Sequence, residues 1–343
     1  MPSDPRRRDP GLFVLTEEPL NAETLLSEQD GLLTPPARFY VRSHFPIPPV
    51  PEKLPVDGAV ESPLALSLEE IHALPRRSLV VTLECAGNGR SFLDPRVPGE
   101  QWRLGAVSTG EWTGTSLRHV LERARPRPGA REVYFRGADE GTPKDLGKRI
   151  AFERSLPLAN ALHPDTLLAY EMNGEPLAPE HGAPLRLIVP GWYGMASVKW
   201  LARISVLDHP FRGFFQTERY VIGRRPLTTI EPRAVIAWPQ DGDVIVRGRH
   251  LVRGYAWSGA APPLSVEVSV DAGSSWDLAE LLEGRGPYSW REWRHEWDAR
   301  DVGRATLVAR TWDASGAEQP LAARWNELGY ANNAVQPVRV MVG

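Results

Sequence analysis

The composition of the chain argues against a disulfide framework, a membrane-spanning segment and binding to nucleic acid. Its 343 residues include one cysteine, Cys85, so no internal disulfide can form. The sequence contains no run of about 18 consecutive apolar residues, which argues against a membrane-spanning helix. Because 40 basic residues meet 43 acidic ones, there is no basic excess to attract nucleic acid or an acidic membrane surface. We therefore expect a small molecule as the main ligand.

The amino-terminal stretch shows no export signal. Arg6, Arg7 and Arg8 are followed by an apolar stretch that ends in Glu17 and Glu18, and this stretch is too short and too acidic for a signal peptide. One free thiol without a disulfide framework is typical of a cytoplasmic protein. We expect the protein to be cytoplasmic.

Local patterns predict an α+β fold at the amino-terminal side. A capping box from Ser67 to Glu70 and apolar residues at helical spacing after Ser116 predict two short helices. The strand-like runs do not alternate with long helices, which argues against a doubly wound sheet. These runs lie at 79–83, 132–135, 185–189 and 198–206.

Beyond about residue 226 the apolar residues recur at every second position and are separated by turn clusters. The clearest example is the run Val338, Val340 and Val342. A period of two predicts strands with one buried face, and roughly 110 residues suit an immunoglobulin-like sandwich. We therefore expect three parts: an amino-terminal extension over 1–34, a mixed α+β domain over 35–225 and an all-β sandwich over 226–343.

Cys85 stands at a position suited to a functional site. It follows a buried-strand pattern at 79–84 and precedes a loop with Gly87, Gly89 and Arg90. Glycines let the backbone approach a bulky group closely, and the arginine adds a fixed positive charge. The alternative is an inert buried thiol, because free cysteine often packs as a small hydrophobic residue.

Five segments together resemble the sulfite oxidase family of molybdenum enzymes in order and spacing. The segment at 266–276 likewise resembles that family's immunoglobulin-like dimerisation domain, so the likeness covers roughly residues 35 to 343. What the resemblance implies is one molybdenum bound by the dithiolene of one molybdopterin and by one thiolate, here Cys85. The five segments are FYVRSH at 39–44, TLECAGNGR at 82–90, LAYEMNG at 168–174, HGAPLR at 181–186 and VKWLARISV at 198–206.

The same resemblance places the groups that bind the pterin cofactor. Arginine and lysine give charge-assisted hydrogen bonds to phosphate, and a carboxylate can accept hydrogen bonds from pterin amino groups. Several such bonds are needed, because the cofactor is not covalently attached. The implied cofactor residues are Tyr40, Val41, Arg42, Ser43, His44, Asp139, His181, Arg186, Ser197, Val198 and Lys199.

The substrate site implied by the resemblance is a positive cleft beside the metal. Arg42 and Arg90 would hold the oxygens of a small oxyanion, Trp112 would form a wall, and Tyr220 would hydrogen-bond to the oxyanion. The implied activity is oxidation of sulfite to sulfate by oxygen-atom transfer. With Cys-x-x-Cys-His absent, we expect no haem, and electrons would leave to an external acceptor such as a cytochrome c. The dimerisation domain implies a homodimer.

Two departures from the family pattern keep the substrate open. Animal and plant members carry an arginine where this chain has Leu328, and they commonly carry another where it has Gly89. Both changes lower the positive potential of the cleft. One alternative is therefore another small oxyanion on the same cofactor, nitrate above all. A second alternative, of a different class, is a non-catalytic binding or assembly protein that has lost the metal.

Overall fold

The computed structural model of the chain describes residues 7–8, 11–143 and 146–343. Residues 1–6, 9–10 and 144–145 lie outside the described part, and the first two ranges belong to the start of the expected amino-terminal extension. The described chain is rich in sheet and has four short α-helices. These are α1 (Leu68–His72), α2 (Leu117–Ala124), α3 (Leu158–Ala161) and α4 (Phe214–Thr217).

The strands before the carboxy-terminal sandwich are two to ten residues long, and most belong to three sheets. In chain order they are β1 (Arg7–Arg8), β2 (Leu12–Thr16), β3 (Asn21–Thr24), β4 (Val41–Arg42), β5 (Lys53–Gly58), β6 (Leu64–Ser67), β7 (Arg76–Glu84), β8 (Val107–Ser116), β9 (Glu132–Gly141), β10 (Ile150–Pro157), β11 (Leu167–Met172), β12 (Glu175–Pro176), β13 (Arg186–Ile188), β14 (Leu201–Leu207), β15 (Val221–Ile222) and β16 (Arg225–Pro226).

The first three sheets bring distant segments together around one region. The amino-terminal sheet has the order β1-β2-β3-β4, so β3 of the extension pairs directly with the strand that carries Arg42. The second has the order β10-β9-β14-β5-β6, in which β14 and β5 run parallel. The third has the order β12-β11-β8-β7, and β13 also pairs with β11. Strands β15 and β16 form a separate hairpin.

The two helices predicted from the sequence are confirmed. The Ser67 hydroxyl accepts a hydrogen bond from the Glu70 backbone N–H at 3.2 Å, and the Glu70 carboxylate accepts one from the Ser67 N–H at 2.7 Å, which completes the capping box of α1. Helix α2 buries one face against the sheets and ends at Arg125, whose φ of 54° is left-handed. Its buried face consists of Leu117, Val120, Leu121 and Ala124.

The carboxy-terminal part consists of two sheets that share one apolar core. The first has the order β17-β19-β23-β22, and the second has the order β18-β25-β24-β20-β21. Val252, Trp293 and Val340 are among the core residues, and together they come from both sheets. The predicted period-two pattern is confirmed as strand. The nine strands are β17 (Arg233–Trp238), β18 (Val244–Ile245), β19 (Gly248–Trp257), β20 (Pro263–Ser269), β21 (Asp277–Leu278), β22 (Glu280–Leu281), β23 (Arg291–Ala299), β24 (Gly303–Asp313) and β25 (Val338–Val342).

Candidate functional site

A cavity lies beside the single cysteine, with an empty volume of about 680 Å³ when the open solvent space at its mouth is included. Its walls come from β4, the end of β7, the end of β9 and the loops around β13, so segments distant in sequence converge there. Eleven of the residues expected from the sequence line it. They are Tyr40, Arg42, Ser43, His44, Cys85, Asp139, His181, Arg186, Ser197, Lys199 and Tyr220.

The Cys85 thiol sits where strand β7 turns away from the sheet. The Cys85 backbone N–H donates to the Ala106 carbonyl at 2.9 Å, and its carbonyl accepts from the Asn88 N–H at 2.9 Å, which closes the turn. The residue is 7% exposed. Burial raises the pKa of the thiol, opposed by the charges of Arg42 and Arg90. The thiol is therefore protonated at neutral pH, and a bound metal would displace that proton.

Buried contacts with the carboxy-terminal sandwich fix Glu84, the residue immediately before the thiol. One carboxylate oxygen accepts from Arg233 Nη1 at 2.9 Å and from Asn88 Nδ2 at 2.9 Å. The other accepts from Trp257 Nε1 at 2.8 Å. Because Glu84 is 3% exposed and Arg233 only 1%, this ion pair is shielded from water. The sandwich therefore holds the backbone that presents Cys85.

The glycine at position 89 is required by this arrangement. Its φ of 81° is left-handed, and a Cβ there would lie 2.5 Å from the Arg233 guanidinium. A side chain at position 89 would push that guanidinium away from Glu84. At Gly89 this chain departs from the family pattern, and the Arg233 guanidinium occupies the space that a side chain at this position would fill.

Three cations reach the cavity from different elements. Arg42 Nη1 donates to Asn21 Oδ1 at 2.9 Å and to the Ser43 carbonyl at 2.6 Å. The buried Arg186 donates to the carbonyls of His181 and Ser197, at 2.8 and 3.1 Å, while its Nε has no hydrogen-bond partner among the described residues. Because Arg186 lines the cavity, its charge can act on an anion bound there.

Lys199 is the third cation, and it lies near the carboxylate of Asp139. Its Nζ donates to Ser43 Oγ at 2.9 Å and to the Glu180 carbonyl at 2.8 Å. Asp139 continues the buried face of β9 after Val133, Phe135 and Gly137, which carries its carboxylate inside the fold. Burial raises the pKa of Asp139 to about 6, although the Lys199 charge acts in the opposite direction. Desolvation holds the pKa of Lys199 well below its usual value.

His181 and His44 are both held neutral. His181 Nε2 lies 3.1 Å from the Pro36 carbonyl, so that nitrogen carries the proton. Burial lowers the pKa of His181 to about 3. His44 Nε2 lies 2.7 Å from the hydroxyl of Tyr220, and its ring stacks on Phe215 with centroids 4.7 Å apart. Burial and the nearby charge of Arg42 hold the pKa of His44 well below its usual value.

Tyr220 connects the cavity to the carboxy-terminal sandwich. Its φ of 55° is left-handed, and its ring stacks on Tyr330 with centroids 5.1 Å apart. Tyr330 stands two residues after Leu328, in the segment where the family pattern has an arginine. Leu328 instead packs into an apolar cluster, and its carbonyl accepts from Arg90 Nη2 at 3.1 Å. From this segment a tyrosine, rather than a cation, therefore packs behind the cavity wall.

Four of the expected site residues do not line the cavity. The Arg90 guanidinium turns toward the Glu100 and Leu328 carbonyls and lies 5.1 Å from the Tyr330 ring centroid. Trp112, expected as a wall, lies one layer behind, because its indole N–H donates to the Val81 carbonyl and its ring packs under Arg186, 4.8 Å away. The other two are Val41 and Val198, which are buried.

The cavity also has walls that sequence reasoning did not assign. Gly194 and Met195 belong to a 3-10 turn before Ser197, and a Cβ on Gly194 would lie 2.6 Å from the Tyr40 hydroxyl. The closely spaced glycines at 191 and 194 are the signal that could have indicated a close backbone approach. The other unassigned lining residues are Phe39, Leu83, Ala86, Phe152 and Glu180.

These residues fit a bulky anionic cofactor better than a metal ion held by protein alone. In the described part of the chain, no three His, Cys, Asp or Glu side chains cluster to bind a metal. A metal at Cys85 would therefore take its remaining ligands from a cofactor. The cavity and the three cations that line it match a phosphate-bearing group. Within the described ranges, no helix is long and apolar enough to cross a membrane.

Comparison with known proteins gives the same picture for both parts of the chain. Residues 44–215 match the oxidoreductase molybdopterin binding domain, and residues 224–342 match the Mo-co oxidoreductase dimerisation domain. Mitochondrial sulfite oxidase of Mus musculus is 36% identical over 98% of this chain and 66% of its own length. The chain thus spans about two thirds of that relative. Sulfite oxidase of Arabidopsis thaliana is 32% identical over 98% of this chain and 95% of its own length.

Two further similarities bear on substrate choice. NADH nitrate reductase of Volvox carteri is 31% identical over 97% of this chain and 43% of its own length. Among solved structures, the sulfane dehydrogenase SoxCD from Paracoccus pantotrophus superposes with a TM-score of 0.81 and 28% identity, over 94% of this chain and 85% of that one. The architecture therefore occurs in proteins that are named for different substrates.

Proposed function

Because the chain belongs to the sulfite oxidase family of molybdopterin-dependent oxidoreductases, we propose that it oxidises sulfite to sulfate and passes the electrons to an external acceptor. In this reaction sulfite and water give sulfate, two protons and two electrons. The observation that carries the proposal is the Cys85 thiol at the wall of a cavity that also gathers Arg42, Arg186 and Lys199.

The chain's own residues divide the work of holding the cofactor. Molybdenum on one molybdopterin, bound to the Cys85 thiolate, would supply oxygen-atom transfer and accept the two electrons. Lys199 and Arg186, which both line the cavity, would bind its phosphate. Asp139 would accept from pterin amino groups. Neutral His44 and His181 would add hydrogen bonds without adding charge, as would Ser43 and Ser197 beside them.

The oxyanion would be bound on the Arg42 and Tyr220 side of the cavity. Arg42 is anchored by Asn21, so its guanidinium is held in place before an anion arrives. The Tyr220 hydroxyl lies 2.7 Å from His44 Nε2; with the neutral His44 ring protonated on Nε2, the phenol oxygen accepts that bond and its own O–H can donate to a bound oxyanion. Arg90 would act at longer range, because its charge favours the thiolate form of Cys85 but its guanidinium faces carbonyls.

Nitrate is the second candidate substrate. The similarity to the Volvox nitrate reductase and the Leu328 departure favour it. A nitrate reaction would run in the opposite direction and would need electrons delivered to the site from an external donor.

We further propose that the carboxy-terminal sandwich is immunoglobulin-like and forms a homodimer. The match of residues 224–342 to a dimerisation domain supports the homodimer, and the paired four- and five-stranded sheets support the fold assignment. Sedimentation of the purified protein at several concentrations should give twice the chain mass. A monomer at micromolar concentration would contradict the dimer. A cytoplasmic location and the identity of the electron acceptor stay predictions.

The test is to prepare the protein with cofactor and compare it with Cys85→Ser. We expect about one molybdenum per wild-type chain by elemental analysis, and reduction of ferricyanide or cytochrome c when sulfite is added. The serine variant should keep its circular dichroism spectrum but lose turnover, because serine does not supply the soft thiolate ligand. Nitrate-dependent oxidation of reduced viologen without sulfite activity would select the second candidate. Folded wild-type protein that takes up no molybdenum would indicate a binding protein instead.

A further inference from the structure

Arg154 is a buried cation that has no assigned role in the site described above. It lies on β10 and is 1% exposed. One of its nitrogens donates to the Phe215 carbonyl, and its Nε has no hydrogen-bond partner among the described residues. Nor does any carboxylate of the described residues form an ion pair with it. Buried arginines are almost always paired, because removing a charge from water costs several kcal/mol.

The Tyr220 ring lies beside this guanidinium, and Tyr330 is close enough to interact with it electrostatically. Arg154 lies 5.9 Å from the ring centroid of Tyr220, which lines the cavity. The nearby polar groups that favour its charged form belong to Tyr220 and Tyr330. Burial lowers the pKa of Arg154 to about 10, so the side chain stays charged at neutral pH. The charge of Arg154 therefore has no carboxylate partner among the described residues, and it lies beside a ring that lines the cavity.

The opposite end of the tyrosine pair carries a second unpaired guanidinium. Tyr220 and Tyr330 stack with centroids 5.1 Å apart, and Arg90 lies 5.1 Å from the Tyr330 ring. Arg90 also donates only to carbonyls and forms no ion pair with a described carboxylate. The stacked rings thus have a buried positive charge beside each of them, Arg154 at Tyr220 and Arg90 at Tyr330. In a medium of low dielectric constant such charges act across a ring on an anion in the neighbouring space.

We propose that Arg154 strengthens anion binding at this site, because it supplies through Tyr220 the positive potential that the segment at Leu328 does not provide. The proposal rests on the proposed function, since it assigns the charge to the oxyanion of that site. Arg154 does not touch the cavity, so it acts as a positioning residue. It holds the Phe215 to Tyr220 segment by its hydrogen bond and ring contact, and its charge stabilises an anion bound beside the Tyr220 hydroxyl.

The test compares Arg154→Met, which removes the charge at similar length, with Arg154→Lys, which keeps it. Sulfate, the product anion, is titrated into each loaded protein by calorimetry, and sulfite turnover is measured in parallel. We expect sulfate binding to weaken about tenfold in the methionine variant, which corresponds to about 1.4 kcal/mol. KM for sulfite should rise by a similar factor, while kcat changes less than threefold. The lysine variant should stay within about threefold of wild type in both measurements.

Arg203→Met is the matched control, because it removes an arginine that is half exposed and paired with Asp57. It should leave sulfate affinity unchanged. An unchanged sulfate affinity in Arg154→Met, or an equal loss in Arg154→Met and Arg154→Lys, would overturn the proposal. If the methionine variant does not fold, the sulfate affinities of Arg154→Gln and Arg154→Lys are compared in its place, and an equal loss in these two variants would overturn the proposal. A wild-type protein without sulfite turnover would refute the proposed function, whereas the sulfate titration would still test the effect of Arg154 on anion affinity.

Discussion

Loss of the Arg233 side chain should unfold the chain more easily than any surface substitution, because it strips a buried carboxylate of its counter-charge. In Arg233→Met, Glu84 keeps hydrogen bonds from Trp257 and Asn88 only. Removing one partner of a buried ion pair typically costs about 3 to 5 kcal/mol. The pair is 97–99% shielded from solvent, so screening by water reduces this figure little. We expect a loss of that size in the free energy of unfolding.

Urea unfolding followed by tryptophan fluorescence and far-UV circular dichroism measures this loss. Trp257 and Trp290 report the sandwich side of the contact, and molybdenum content per chain reports the cysteine loop. We expect lower molybdenum content in Arg233→Met, because Glu84 adjoins Cys85. Arg339→Met is the control. Its ion pair with Asp241 is 3.7 Å long and both side chains are more than half exposed, so the change should stay within about 0.5 kcal/mol.

A double-mutant cycle separates the ion pair from packing. Glu84→Gln alone leaves Arg233 unpaired, and the double variant Glu84→Gln with Arg233→Met removes both charges. The double variant should therefore lose less than the sum of the two single losses, by about 1 to 3 kcal/mol. Strict additivity, or a loss below about 1 kcal/mol for Arg233→Met, would refute the view that this pair couples the sandwich to the cysteine loop.

Two further changes test the loop and the cavity. Gly89→Ala should lower stability and molybdenum content more than Gly129→Ala, since both have a left-handed φ but only Gly89 would place its Cβ against Arg233; equal losses would refute the packing argument. Burial lowers the pKa of His181 to about 3, so its stabilising contribution is present above the unfolded pKa near 6.5 and is lost as pH falls toward 3. As pH falls over that range, the unfolding free energy of the wild type should decline relative to that of His181→Gln. Parallel pH profiles of the two proteins would contradict this.

Local patterns were enough to predict the elements that hold the site. The capping box at Ser67, the apolar face of α2 and the period-two strands after residue 226 each depend on neighbours in sequence, so they could be predicted from it. Cys85 could be placed at a strand end for the same reason. The motif residues on either side of the cavity could be named because they recur together in one family.

The orientation of side chains could not be predicted in this way, because it depends on contacts between distant segments. Trp112 alternates along β8 like any strand residue, and only the packing of Phe39 and Arg186 shows that it lies behind the cavity. Arg90 looks like a substrate ligand in the loop sequence. Its direction is set by the Leu328 carbonyl, 238 positions later in the chain. Arg154 lies in none of the five family segments, so the sequence did not single it out.

The two positions where this chain lacks a family arginine have different electrostatic consequences. At Gly89 the space is filled by Arg233, but Glu84 neutralises that guanidinium at 2.9 Å, so it contributes structure and little net potential. Near Leu328, by contrast, Arg154 and Arg90 contact the rings of Tyr220 and Tyr330 without a carboxylate partner among the described residues. An unpaired charge acts on an anion, whereas a paired one largely cancels. Besides Arg42, the anion affinity of this site should therefore depend on Arg154 and Arg90 beside the tyrosine pair, and little on Arg233, whose charge Glu84 neutralises.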